Sequence, residues 1–431
     1  MRKLITVVLM TVTLFLIPFI KSEAKQDYAE DVILKVGDYY DVSEDYNDDM
    51  KVVLIFGTSL VCKDGYVYAI IPGTSTVVYV DEDGEYIFKR FKVEKSNIET
   101  IMLDIGQGDA FLVKVNGWNI LIDTGEKKYY EFLKQQLVEL EIDYIDTLIV
   151  SHMDTDHMGS ATLVMQDYGI NEVIIPYTAG NSVEYNKFMN YLDRELVNII
   201  YAEKDNHYSL GYGCGLDILS VDAGEDTNAS SIVMRMSYYD NTFLFTGDAP
   251  ASVLNQIMND RDIKVDVLKV PHHGSDTSSP LLFLKNCGAE ISLISVGRDN
   301  AYGHPDDNVI RRLETLGSII YRTDIDGTVI VCGNGKELSV DSYHIIDWDA
   351  ENRLKVDKGP IIGNLNSHVY HNDSCMSLPA EKNRIYFMYA KDAETAGYRP
   401  CNMCIEHSVD ENSEKNHGFF DPLLRFIMPT A

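Results

Sequence analysis

Ser151-His152-Met153-Asp154-Thr155-Asp156-His157-Met158-Gly159 places four metal-capable side chains, His152, Asp154, Asp156 and His157, in one short run. The apolar residues Leu148 to Val150 precede it and read as a buried strand, so the loop at that strand's end can turn the four toward one point. Imidazole suits zinc, iron and manganese, and carboxylates bind or bridge hard cations. A pair of cations about 3.5–4 Å apart needs more ligands than this run offers. Candidates stand at later strand ends: Asp248 in Phe245-Thr246-Gly247-Asp248, His272-His273 after Leu268-Lys269-Val270-Pro271, and His304 in Tyr302-Gly303-His304-Pro305. A lone histidine is more often a satisfied polar residue than a ligand, but five of the chain's 11 histidines lie in this set.

Outward from this stretch, residues 98–345 alternate strand-like and helical runs. Ile101–Ile105, Phe111–Val115 and Ile120–Ile122 read as strands, and Tyr129–Leu140 carries apolar residues at helical spacing. Strand–helix pairs follow: Val173–Pro176 with Tyr185–Leu196, Phe243–Phe245 with Ala251–Met258, and Val267–Val270 with Pro280–Leu284. The pattern predicts an α/β domain with sheets covered by helices. Asp104–Asp109 reads mainly as a glycine-made turn between strands, and Asp324 as part of a hairpin turn. His207 and His344 have no partner at useful spacing.

Five motifs in order resemble one branch of the metallo-β-lactamase superfamily, the hydrolase domain of ComEC-type DNA-uptake proteins and its free-standing relatives. They are Ser151-His152-x-Asp154-x-Asp156-His157-x-Gly159, Leu103-Asp104-Ile105-Gly106-Gln107-Gly108-Asp109-Ala110, Leu121-Ile122-Asp123-Thr124-Gly125, Pro271-His272-His273-Gly274-Ser275 and Tyr302-Gly303-His304-Pro305. The superfamily usually has His where Asp154 stands. The resemblance implies a four-layer αββα sandwich in which His152 and Asp154 bind one metal, Asp156 and His157 a second, and Asp248 bridges both. His304 most resembles the fold's last histidine ligand. His272 and His273 are each either a ligand or a holder of a substrate phosphate oxygen. Asp123 orients a ligand histidine. The usual middle histidine has no clear counterpart; Asn228-Ala229-Ser230-Ser231 stands in its place.

Two divalent metals, zinc or manganese, would present hydroxide at neutral pH, and no G-x-S-x-G nucleophile motif competes with that reading. The related domains imply cleavage of phosphodiesters, single-stranded DNA among them. A phosphorylcholine esterase acting on wall polymers is the alternative, and a non-catalytic surface-binding protein a third. The net charge of −30 argues against a broad nucleic-acid track. The basic residues near the motifs, Lys269, Arg298, Arg311, Arg312 and Arg322, suit at most a small phosphate pocket.

The flanks differ in character. Residues 1–24 read as a secretion signal: Arg2 and Lys3, an apolar run from Leu4 to Ile20, then Ser22-Glu23-Ala24. An uncleaved membrane anchor is the runner-up, and either places the chain outside the cytoplasm or on the cell surface. Residues 28–95 read as all-β. Lys63 to Thr76 within them resembles the middle of bacterial Ig-like domains, which implies a spacer or a module contacting the wall. Residues 346–366 read as a linker and 406–431 as a tail. Of the seven cysteines, Cys375, Cys401 and Cys404 cluster in residues 367–405. With His371 they form a four-ligand pattern for one structural zinc. This module resembles the metal-binding domain of the Ada DNA-repair proteins. His371 stands where Ada has its reactive cysteine, so alkyl transfer is not expected.

Overall fold

The computed structural model describes residues 31–41, 51–63, 65–80, 86–221, 226–298, 300–344, 361–372, 375, 377–387, 393 and 396–401. The signal segment 1–24, most of the linker, Cys404 and the tail 406–431 lie outside the described residues.

The N-terminal region is all-β. Strands Val32–Lys35, Tyr86–Glu94, Gly73–Val80 and Lys51–Phe56 form one sheet in that order, and Tyr39–Asp41, Tyr66–Ala69 and Leu60–Lys63 form another. Leu34, Val77, Tyr79, Phe91 and Val93 from the first sheet pack with Leu60, Val67 and Ala69 from the second. The alternation of buried and less buried residues along Tyr66–Ala69 is the period-two signature of a strand with one covered face.

The central domain is built on two larger sheets. In the first, the order is Asn198–Tyr201, Gly169–Ile175, Tyr144–Ile149, Trp118–Ile122, Phe111–Val115, Ile98–Met102, Thr328–Gly333 and Leu338–Tyr343. In the second it is His207–Ser209, Cys214–Ser220, Val233–Tyr238, Asn241–Phe245, Val267–Lys269, Ile291–Ile294 and Ile319–Arg322. Strand pleating sorts the side chains into layers. Phe111, Val113, Ile120 and Ile149 face Leu216, Met234, Phe243, Val267 and Leu293 between the sheets. The alternate residues Leu112, Leu121, Leu148 and Val173 point outward, onto Leu133 and Leu137 of helix Tyr130–Glu139 and Phe188 and Leu192 of helix Val183–Arg194. On the other side Leu244, Leu268 and Ile294 meet Leu254 and Ile257 of helix Ala251–Asp260, Phe283 of Leu281–Cys287, and Val309 and Leu313 of Asp307–Leu316. The result is the four-layer αββα sandwich. Among the described residues no helix is long and apolar enough to cross a membrane.

Three local readings change. The first strand spans Ile98–Met102 rather than Ile101–Ile105, because Leu103 N donates to Ala110 O at 3.0 Å and closes residues 103–110 into a loop. Asp324 lies in a short helix, Thr323–Asp326, where its carboxylate takes two hydrogen bonds from Arg322 at 2.9 and 2.6 Å. His207 does have a partner: antiparallel pairing sets it opposite Asp217, and Nδ1 lies 2.7 Å from Oδ1.

The C-terminal module is a small sheet in the order Arg384–Phe387, Ile361–Asn364, Val369–Asn372 and Arg399–Pro400. Ile361–Asn364, expected to be linker, is therefore an inner strand of the module. Its short apolar start, Ile361-Ile362, carried too little pattern to show this.

Candidate metal centre

The centre lies where C-terminal strand ends of the two sheets meet. Strands Trp118–Ile122 and Tyr144–Ile149 are parallel neighbours, so Asp123 and Ser151 emerge side by side. Asp123 Oδ1 accepts from Ser151 N at 2.7 Å, and Oδ2 accepts from Ser151 Oγ at 2.6 Å. Asp123 Oδ2 also lies 2.9 Å from His157 Nδ1, which turns that imidazole's Nε2 toward Asp248 Oδ2 at 3.3 Å. The Asp154 carbonyl starts the one-turn helix Thr155–Met158, accepting from His157 N at 3.1 Å and Met158 N at 3.0 Å. The turn puts Asp156 and His157 on the same side as Asp248.

The second sheet supplies the rest. Asp248 follows strand Asn241–Phe245, and Lys269 ends strand Val267–Lys269. His273 follows in the next loop, with Nδ1 at 2.8 Å from Ser295 O, which fixes the ring. Its Nε2 stands 3.3 Å from Asp156 Oδ2 and 3.5 Å from Asp248 Oδ2. Donor atoms of Asp156, His157, Asp248 and His273 all lie within 4.8 Å of one another.

This set fits a divalent cation on two counts. The Nε2 atoms of His152, His157 and His273 are buried without a hydrogen-bond partner, a costly arrangement unless a ligand takes them. The charges are also unbalanced toward anions: Asp109, Asp123 and Asp248 are buried beside Asp156, with Lys269 as the buried lysine among them. Burial opposes a charged ring at His273, but Asp248 and Asp109 outweigh it and raise its pKa to about 10. His157 is likewise raised against burial by Asp248, Asp123 and Asp156. A field that draws protons onto two rings draws cations as well. His152 differs: burial, then His157, hold its pKa down near about 3, so it stays a neutral donor.

His152 and Asp154 sit beside that group rather than in it. Their donor atoms are 3.8 Å apart, and the His152 ring centroid is 4.1 Å from that of His157. The segment Asn228-Ala229-Ser230-Ser231, which replaces the usual middle histidine, packs here. Ser231 Oγ accepts from Asp248 N at 3.1 Å, Ile232 N donates to Ser151 O at 2.8 Å, and Asn228 Oδ1 is buried without a partner. Asp154, Asp156 and His272 keep side-chain exposures of 41%, 26% and 30%, so the buried floor opens on this side.

His304 is not brought into the donor group. Asn300 pins its backbone in both directions, at 2.9 and 2.7 Å, and its ring lies outboard, 5.8 Å from His272 and stacked on Tyr302. Among the described residues, His273 joins the grouped donor atoms and His304 does not. His272 Nε2 stands 3.6 Å from Asp248 Oδ2 on the open side, and burial, the largest influence on it, lowers its pKa.

Asp109 and Lys269 belong to the site in ways the sequence reading missed. Asp109 reaches Lys269 Nζ at 2.5 Å and His273 Nδ1 at 3.3 Å, so Asp104–Asp109 is more than a turn. Its place in a glycine-flanked motif was the available signal. Lys269 is buried and lines no phosphate pocket. Arg312 and Arg322 are paired with Asp276 and Asp324, which leaves Arg298 and Arg311 as the exposed cations of that group.

In the C-terminal module His371, Cys375 and Cys401 bring donor atoms within 4.8 Å of one another, with His371 Nδ1 at 3.2 Å from Cys375 Sγ. That is three of the four residues of the zinc pattern; Cys404 lies outside the described residues.

Comparison with known proteins agrees with both centres. Residues 103–297 match the metallo-beta-lactamase superfamily, and residues 351–406 match the metal binding domain of Ada. ComE operon protein 3 of Bacillus subtilis is 29% identical over 252 residues, covering 54% of this chain and 32% of that protein. Recombination protein 2 of Haemophilus influenzae is 32% identical over 257 residues, covering 57% of this chain and 30% of that protein. The chain thus spans about a third of the length of these relatives. The solved structure of CmlA, a diiron beta-hydroxylase from Streptomyces venezuelae, is similar at a TM-score of 0.38 and 11% identity, over 59% of this chain and 55% of that one, too loosely to bear on the chemistry. Residues 103–297 of this chain thus carry the metallo-beta-lactamase fold and are similar to part of ComE operon protein 3, and residues 351–406 are similar to the metal binding domain of Ada.

Proposed function

We propose that this protein is a metal-dependent phosphodiesterase that works outside the cytoplasm, with single-stranded DNA as its leading substrate. The observation that carries the reading is the convergence of Asp156, His157, Asp248 and His273 within 4.8 Å beneath an open rim. Divalent cations held by these residues and by His152 and Asp154 would supply Lewis acidity and an acidified water. The chain's own residues do the positioning. Asp123 and Ser295 hold His157 and His273 by their Nδ1 atoms and leave both Nε2 atoms facing the centre. His272, half-exposed and kept neutral by burial, stands where it can donate to or accept from a phosphate oxygen. In this reading Arg298, exposed after strand Ile291–Ile294, would meet a neighbouring phosphate.

The name of one relative, Recombination protein 2, favours DNA over wall polymers. Of the basic residues near the motifs, Arg298 and Arg311 are the exposed ones outside an ion pair, which favours a short single-stranded segment over a duplex track. The test is turnover of bis-p-nitrophenyl phosphate with manganese or zinc, followed by single-stranded DNA against phosphorylcholine esters. Cleavage of DNA alone supports the reading, cleavage of the choline ester alone replaces it with the wall-polymer esterase, and inertness with both metals removes the enzymatic reading.

A further inference from the structure

Lys269 is, with Asp109, a buried group at the centre that the proposed chemistry does not use. Its side chain is 2% exposed, and its three N–H donors are all engaged: Asp109 Oδ2 at 2.5 Å, Gly247 O at 2.7 Å and Asp248 Oδ1 at 3.3 Å. Burying an ammonium costs several kcal/mol unless its partners are well placed, so the group needs a reason to be there. The contacts on Asp248 suggest one. Oδ1 faces the lysine, whereas Oδ2 faces every imidazole nitrogen nearby: His157 Nε2 at 3.3 Å, His273 Nε2 at 3.5 Å and His272 Nε2 at 3.6 Å. The two oxygens of one carboxylate thus have separate roles. A free carboxylate can chelate one cation with both oxygens, or bridge two cations through one oxygen or through both. With Oδ1 turned to the ammonium, Oδ2 is the oxygen that faces the imidazole nitrogens.

Resting on the two-metal reading above, we infer that Lys269 is a positioning residue: by holding Asp248 Oδ1 it leaves Oδ2 as the oxygen that would meet the cations. Asp109 extends the same arrangement, because its second oxygen lies 3.3 Å from His273 Nδ1. Strand Val267–Lys269 is built for this placement. Val267 packs between the sheets, Leu268 packs on the outer helices, and Lys269 sits at the strand's end, at the centre.

The test uses the full chain with its C-terminal module preloaded with zinc and then titrated with manganese, followed by electron paramagnetic resonance and elemental analysis. Wild type, Asp109→Asn, Lys269→Met and the double variant are compared, with circular dichroism reporting the fold. Wild type is expected to show a spin-coupled manganese pair, and Asp109→Asn a weaker one. Both Lys269 variants should stay folded, lose the coupled signal and bind the second ion at least about tenfold more weakly, the scale on which groups behind metal ligands act. An unchanged coupled signal in either Lys269 variant overturns the inference. So does equal loss in Asp109→Asn, which moves the role to that residue, or unfolding of both Lys269 variants, which makes the lysine structural. Absence of any coupled pair in wild type refutes the two-metal reading itself and is distinguishable from all of these.

Discussion

At the scale of single residues, the centre depends on partners behind the donors as much as on the donors. Asp123 touches no substrate position, yet it holds His157 Nδ1 at 2.9 Å and receives both hydrogen bonds of Ser151. Asp123→Ala is therefore expected to weaken divalent metal binding by about 10–100-fold while leaving the fold intact, as checked by competition titration against a chelating dye. Asp156, His157 and Asp248, which the structure groups with His273, were legible as candidates in the sequence because they sit in a tight motif or directly after an apolar strand. That His273 joins them was not, because it depends on how its loop, on the second sheet, meets Asp156 of the first. Asp109 and Lys269 escaped for a related reason. Their sequence separation is large, and only the meeting of the two sheets makes them neighbours.

At the scale of elements, two features define the floor: the loop before Phe111–Val115 and the one-turn helix Thr155–Met158. Gly108 has φ +118°, and a Cβ there would lie 2.3 Å from Asp156 O, a backbone atom that cannot move without moving Asp156. Gly108→Ala is expected to cost about 1–3 kcal/mol in urea unfolding from backbone strain and to impair metal binding as well. Phe188, on helix Val183–Arg194, is fully buried beneath the first sheet, so Phe188→Ala should destabilise by about 3–5 kcal/mol in urea unfolding. Helices and strands were readable within a few residues wherever apolar spacing was regular, as for Phe111–Val115. Boundaries moved where a loop closed on itself, as at residues 103–110, or where a strand was short and its partner distant, as at Ile361–Asn364.

At the scale of the whole molecule, three bodies with separate cores share one chain: the all-β region, the αββα sandwich and the small C-terminal sheet. Separate cores imply separate failures. Cys375→Ala should remove zinc from the C-terminal module and loosen that sheet, which packs on little beyond Tyr370, Ile385, Phe387 and Tyr398, while bis-p-nitrophenyl phosphate turnover stays within about twofold of wild type. The order of these bodies was readable because composition and motif type change along the chain. Which wall or nucleic-acid surface the flanking bodies meet was not, since a β-sandwich or a zinc module fixes no partner by its fold.

Elemental analysis of purified wild-type protein beside Asp156→Ala tests the central claim most directly. The account predicts two divalent ions in the sandwich and one zinc in the C-terminal module, with the variant losing metal from the sandwich and keeping the zinc. Identical metal content in the two proteins would contradict it.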